Sequence, residues 1–196
     1  MQHLTDFTGL SGVASVLAVI ALRLPGVVRL AKVQRAILIV AVFVLALVPF
    51  GALPLAGYAR GATGDLSITS IVLLWVALLR PWITCEEKSR VSLLMLAALS
   101  AVVFYPLALG VGIIDPYRIG YGEPLFVLAL LVIALVAWYR KSSMIVLCIA
   151  LALFAWSIGW YESGNLWDYL LDPFVSIYAV WAATAKLVKR SIMKQR

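Results

Sequence analysis

Apolar runs separated by short polar gaps organise the whole chain. Seven runs lie near the roughly 17 to 25 residues that a helix needs to cross a hydrocarbon core about 30 Å thick. They cover 7–24, 36–57, 66–83, 91–113, 124–139, 143–160 and 173–188. The pattern predicts an all-α integral membrane protein of about seven transmembrane helices, six to seven in all, joined by short loops. The first run is the least regular, because Thr8, Ser11 and Gly12 dilute its start and Arg23 closes it early. With no basic leader before it and no small-residue cleavage site after it, it reads as a retained helix and not a signal peptide. The gaps are too short to fold separately, so a single transmembrane domain over 1–196 is expected.

Composition strengthens that picture. The chain is 64% apolar with a mean hydropathy of +1.05, against roughly 45 to 50% apolar residues in soluble domains. Charge then orients it, since Lys and Arg in short loops stay on the cytoplasmic side. Of sixteen bases, Arg23, Arg29, Lys32, Arg35, Arg80, Lys88, Arg90, Arg140, Lys141, Lys186, Lys189, Arg190, Lys194 and Arg196 fall on one face. Only Arg60 and Arg118 fall on the other. The amino terminus is therefore expected outside and the carboxyl terminus in the cytoplasm, in a bacterial cytoplasmic membrane. The net charge of +7 is explained by this topology and by anionic lipid headgroups, not by nucleic acid. His3 is the only histidine, so a Ser-His-Asp triad, axial haem ligation and a His/Cys zinc site all lack their parts. Cys85 and Cys148 map near the cytoplasmic side, where thiols stay reduced, and no disulfide is expected. A retinal Schiff base would need a lysine near mid-depth of the last run, and Lys186 lies too close to its cytoplasmic end.

The acids follow the opposite rule. Glu86 and Glu87 map inside, whereas Asp6, Asp65, Asp115, Glu123, Glu162, Asp168 and Asp172 map outside. Three outer junctions, GDLS at 64–67, GEPL at 122–125 and LDPF at 171–174, each place an acid just before an ingoing helix. Asp accepts an unpaired backbone N–H at a helix N-cap, and Pro at the next position has no N–H to leave unpaired. Capping thus explains Asp172 with Pro173 and Asp65 before Leu66, and explains Glu123 with Pro124 less well.

Asp168 is the acid that capping explains least. Asn165 is placed to cap a short turn over 166–171, with Asp168 reaching back to it as in a capping box. Trp167 and Leu170 or Leu171 would then face lipid, and Tyr161, Trp167 and Tyr169 read as interfacial anchors. Arg60 and Arg118 stand in glycine-bearing loops, where each either pairs with a neighbouring acid or binds a phosphate or carboxylate.

Three functions follow. The first is a membrane subunit that assembles with other membrane proteins through its apolar faces, small residues such as Gly9, Gly12 and Ser15, and an acidic, aromatic outer face. The second is an enzyme or binder acting on a phosphate-bearing, lipid-linked substrate at the outer leaflet. Its catalytic candidates are Asp168, Asp172 and Asp65, and its ligand-binding candidates are Arg60, Arg118, Glu123, Trp167 and Asn165. The third is a small transporter or channel with helices bent at Pro49, Pro54 and Pro106. The second, fourth and sixth runs carry no ionisable acid or base in their central thirds, which argues against a proton-driven pump. The expected partners are membrane lipids and other membrane proteins; no cofactor and no resident metal are expected.

Overall fold

A computed structural model describes residues 2–194, without the side chains at positions 2–8, 28, 190, 192 and 194. The expectations attached to His3, Asp6, Thr8, Arg190, Lys194 and Arg196 lie outside the described residues. Helices dominate: α1 (Gln2–Leu22), α2 (Lys32–Leu47), α3 (Leu55–Thr63), α4 (Ile68–Leu79), α5 (Glu87–Ala108), α6 (Pro124–Tyr139), α7 (Ser143–Ser157), α8 (Leu166–Leu170) and α9 (Pro173–Lys194). The protein is all-α apart from a two-residue antiparallel ribbon, β1 (Pro49–Phe50) with β2 (Leu53–Pro54). Among the described residues one helix, Glu87–Ala108, is long and apolar enough to cross a membrane. Gly9–Leu22, Ile68–Leu79, Pro124–Tyr139 and Ser143–Ser157 are apolar but shorter.

The run 36–57 departs most from expectation. It is not one helix. Pro49 has no N–H to donate and holds Val48 out of the helical region, and Val48 is extended at φ −69, ψ 130. The chain reverses at Gly51, φ +78, through the pairs Pro49↔Pro54 and Phe50↔Leu53, and α3 begins after Pro54. The run 91–113 also ends early: α5 stops at Ala108, just past Pro106, and 109–114 is an exposed loop with left-handed glycines at 110 and 112. By contrast α6 begins and ends where the pattern places it.

The chain divides into two compact units. The first comprises Met1–Leu66, Ser70–Cys85 and Gly159–Glu162. Its core joins Val13 and Ala14 of α1 to Ala46 of α2 and Ala56 of α3, with Leu10, Leu17 and Phe43 packed around them. Small side chains let these helix backbones approach closely. The small residues of α1 are spent inside this unit: Gly12 lies against Ile71 and Leu66, and Ser15 donates to the Ser11 carbonyl at 2.8 Å. The second unit comprises Ser67–Thr69, Glu86–Ile158 and Ser163–Arg196. In it α5 packs on α9 and α7, α6 packs on α7, and α8 packs on α7. Ser89 of α5 ties α7 down, since its Oγ accepts Met144 N–H at 2.9 Å.

Candidate functional site

The nominated residues fall in both units. Arg60 and Asp65 belong to the first. Arg60 Nε donates to Asp65 Oδ1 at 2.6 Å and its NH2 group to Oδ2 at 3.1 Å. The fork-on-carboxylate geometry is the strong form of such a pair. Asp65 is therefore not a helix cap: α4 starts at Ile68, three residues further on, and the carboxylate turns to Arg60. The pair sits on Gly9 of α1, where an added Cβ would overlap Asp65 Oδ1 and Arg60 Nε and lie 2.8 Å from Arg60 Cζ. Gly9→Ala is expected to cost about 1 to 3 kcal/mol by overpacking, measured by detergent-micelle unfolding. Unchanged stability would show that the pair swings aside freely.

The other candidates belong to the second unit, around α8 and the loop 115–123. Asp172 is 5% exposed. Its Oδ1 accepts Val175 N–H at 2.8 Å, which caps α9 as the Asp-Pro pattern predicts. Its Oδ2 accepts both the backbone N–H and the hydroxyl of Ser67, at 2.8 and 2.7 Å. One carboxylate thus starts a helix and holds a segment 105 residues earlier in the chain. Nearby, Ser176 Oγ is buried, and the Tyr105 phenol lies beside it without reaching hydrogen-bond geometry.

Asp168 is half-buried. Its Oδ2 accepts Tyr117 OH at 2.9 Å and Ser163 Oγ at 2.5 Å. The capping box does not close: Asn165 N–H donates to Ser163 Oγ at 3.0 Å, and it is Ser163 Oγ that donates to Asp168. Asn165 caps α8 as expected, accepting Trp167 N–H at 3.0 Å. It also donates to the Tyr117 carbonyl at 2.9 Å, and the indole of Trp167 donates to the Pro116 carbonyl at the same distance. The loop and α8 are clasped to each other by side chains from both.

Tyr161 and Tyr169 are core, not anchors, and Trp167 is half-buried. Trp167 lies between Phe104 and Phe126, ring centroids 4.4 and 4.6 Å away. Tyr169 is fully buried and donates to the Ser163 carbonyl, and Tyr161 is buried and donates to the Leu66 carbonyl. Leu170 and Leu171 are buried as well. The turn does not run on to Asp172: α8 ends at Leu170, and Leu171 is extended at φ −135, ψ 140. Leu171 thereby precedes Asp172 with its side chain inward, and Asp168 and Asp172 do not share a helix face.

Burial first, and then the hydrogen bond to Asp168 and its charge, push the Tyr117 phenol above its usual value of 10.0. A raised folded-state value means that the stabilisation is complete below the unfolded value near 10 and is lost as pH climbs beyond it. Tyrosinate absorbance of the parent and Tyr117→Phe is expected to coincide through about pH 10 and to part only above it. Divergence at lower pH would contradict the assignment.

Arg118 is exposed, and among the described residues its guanidinium has no hydrogen-bond or ion-pair partner. Glu123 is exposed and makes no cap bond. No three His, Cys, Asp or Glu side chains stand together as metal ligands among the described residues. Tyr117, Ser163, Ser67 and Gly120 join the site without being among its sequence-based candidates. One signal was available: Asp115-Pro116 repeats Asp172-Pro173, and Asp115 does cap a short 3-10 turn, accepting Tyr117 N–H at 2.9 Å.

The arrangement defines a helical protein whose buried carboxylates are satisfied largely by its own neutral donors. Compared with known proteins, the chain matches no family model, no curated relative and no solved structure.

Proposed function

We propose that the chain is a polytopic membrane subunit that assembles with other membrane proteins. In this reading its seven apolar segments cross a cytoplasmic membrane, amino terminus outside, with α2 serving as the second crossing and α3 folded back against it. Helices of 12 to 16 residues such as α4, α6 and α7 are roughly 18 to 24 Å long. They complete the crossing through flanking residues and local bilayer thinning. Supporting membrane insertion, only 33% of the apolar window of α5 is buried, whereas a core helix of a soluble protein is mostly covered.

The observation that carries the assembly reading is the state of the carboxylates and of the outer connections. Asp65, Asp168 and Asp172 are engaged in holding backbone and loops. The connections after α2 and α5 instead expose apolar side chains beyond the helix ends, among them Phe50, Leu109, Val111 and Ile113. Exposed apolar patches of this kind mark surfaces that something covers. A photo-crosslinking side chain at Phe50 or Ile113 is expected to capture a membrane protein in cells, and the complex to survive mild detergent. Capture of lipid alone, with the purified chain monomeric, would overturn the proposal.

A second reading rests on Arg118. An exposed, unpartnered guanidinium beside the Tyr117–Asp168 clasp suits the phosphate of a lipid-linked ligand at the outer leaflet. Arg118→Gln is expected to abolish retention of such a ligand while leaving the fold intact. Unaltered retention would remove this reading.

A further inference from the structure

The cytoplasmic end of α6 carries a feature that neither reading uses. Lys141 has φ +56 and is the one non-glycine residue with positive φ among the described residues. Its neighbours close the helix in a Schellman arrangement: Lys141 N–H donates to the Trp138 carbonyl at 2.9 Å, and Ser142 N–H to the Ala137 carbonyl at 2.8 Å. The left-handed position of that motif ordinarily belongs to glycine, because a Cβ there crowds the following carbonyl. The helix terminus attracts cations to its carbonyl end, which accounts for a base nearby. It does not account for a base at the one strained position. Strain at a single residue is a reason to look for function beside it.

Beside it is an open-sided groove of about 580 Å3 lined by Leu135, Val136, Tyr139 and Arg140. Its floor is aliphatic and its rim bears a phenol and a guanidinium. Tyr139 stands on that rim at 89% exposure. Among the described residues neither Arg140 nor Lys141 makes a side-chain hydrogen bond or ion pair. Apolar wall, aromatic edge and two unengaged cations follow one another along the helix in the order in which acyl chain, glycerol level and phosphate follow one another in a leaflet. Cytoplasmic leaflets carry anionic lipid, and each basic group near such a surface contributes attraction of about 1 kcal/mol.

We propose that this groove is a binding site for one anionic diacyl phospholipid of the inner leaflet. An acyl chain lies along Leu135 and Val136, and the phosphate is held by Arg140 and Lys141 with the Tyr139 hydroxyl. The proposal rests on the topology that puts this helix end in the cytoplasmic interface, and on no other part of the assembly reading.

The test uses the full chain purified in mild detergent. Native mass spectrometry follows retention of phosphatidylglycerol against phosphatidylcholine of matched chains. The parent is expected to prefer phosphatidylglycerol, and Arg140→Gln and Lys141→Gly each to weaken that preference about fivefold without altering phosphatidylcholine retention. Lys141→Gly relieves the left-handed strain, so its unfolding midpoint is expected to rise while its lipid affinity falls. A merely structural lysine would not give that opposed pair of changes. Equal retention of the two lipids by the parent, or an unweakened preference in both variants, overturns the site. Release of the protein from membranes by alkaline carbonate instead overturns the topology on which it rests.

Discussion

Replacing Asp172 by alanine is expected to lower stability by roughly 3 to 5 kcal/mol. The substitution strips the acceptor from three donors at once: Ser67 N–H, Ser67 Oγ–H and Val175 N–H. A buried donor left without a partner costs roughly 1 to 3 kcal/mol, and loss of a helix cap alone costs about 1. Asp172→Asn separates geometry from charge. Whichever way its amide is turned, an NH2 group faces either the Ser67 or the Val175 N–H, so one of the two donor sets is lost and the other kept. It should therefore fall between the parent and the alanine variant. Denaturant titration in detergent micelles measures all three. Parent-like stability in Asp172→Ala would mean that the carboxylate does not hold these groups in the folded protein.

Gly120→Ala is expected to cost roughly 2 to 4 kcal/mol, combining overpacking with a lost cap. An added Cβ would overlap Asn165 Oδ1 and stand 2.7 Å from both Asn165 Cγ and Trp167 Cδ1. Neither neighbour can give way cheaply. Asn165 is fully buried and bonded at both ends of its amide, and Trp167 is held between two rings and by its indole N–H. The backbone of Gly120 is not in the left-handed region, so the requirement is for space alone. Gly164 makes the control: nothing lies within 4 Å of a Cβ added there, and Gly164→Ala is expected to be tolerated. If the two alanine variants unfold alike, the clasp between α8 and the loop 115–120 is looser than its geometry implies.

What the sequence made legible was the periodic part. Helices α6, α7 and α9 begin close to where the apolar pattern puts them, because Pro124, Ser143 and Pro173 follow residues that leave the helical region or cap it. Asn165 and Asp172 were also readable, since capping is a local interaction between residues two or three apart. The rest depends on distance in the chain. Hydropathy treats 36–57 as one run because Pro49, Phe50, Leu53 and Pro54 are as apolar as a helix interior, while proline geometry makes them a hairpin. Trp167, Tyr161 and Tyr169 read alike as interfacial anchors, and only tertiary partners make the tyrosines core and fix Trp167 between two rings. Arg60 with Asp65 lay within sequence reach, five residues apart, and a neighbouring acid is one of the two partners that its loop offers a guanidinium.

The tie between Ser67 and Asp172 has a consequence in time as well as in space. A ribosome adding about 5 to 20 residues per second finishes Ser67 roughly 5 to 20 seconds before Asp172, given the 105 residues between them. Throughout that interval the Ser67 N–H and hydroxyl lack the acceptor they will finally have. The segment Ser67–Thr69 must then be accommodated provisionally, by water or by transient partners, until Asp172 arrives. Chains interrupted anywhere between residues 67 and 172 share this one defect whatever else they have built, which makes the arrival of Asp172 a point at which a quality-control protease can tell a satisfied segment from an unsatisfied one.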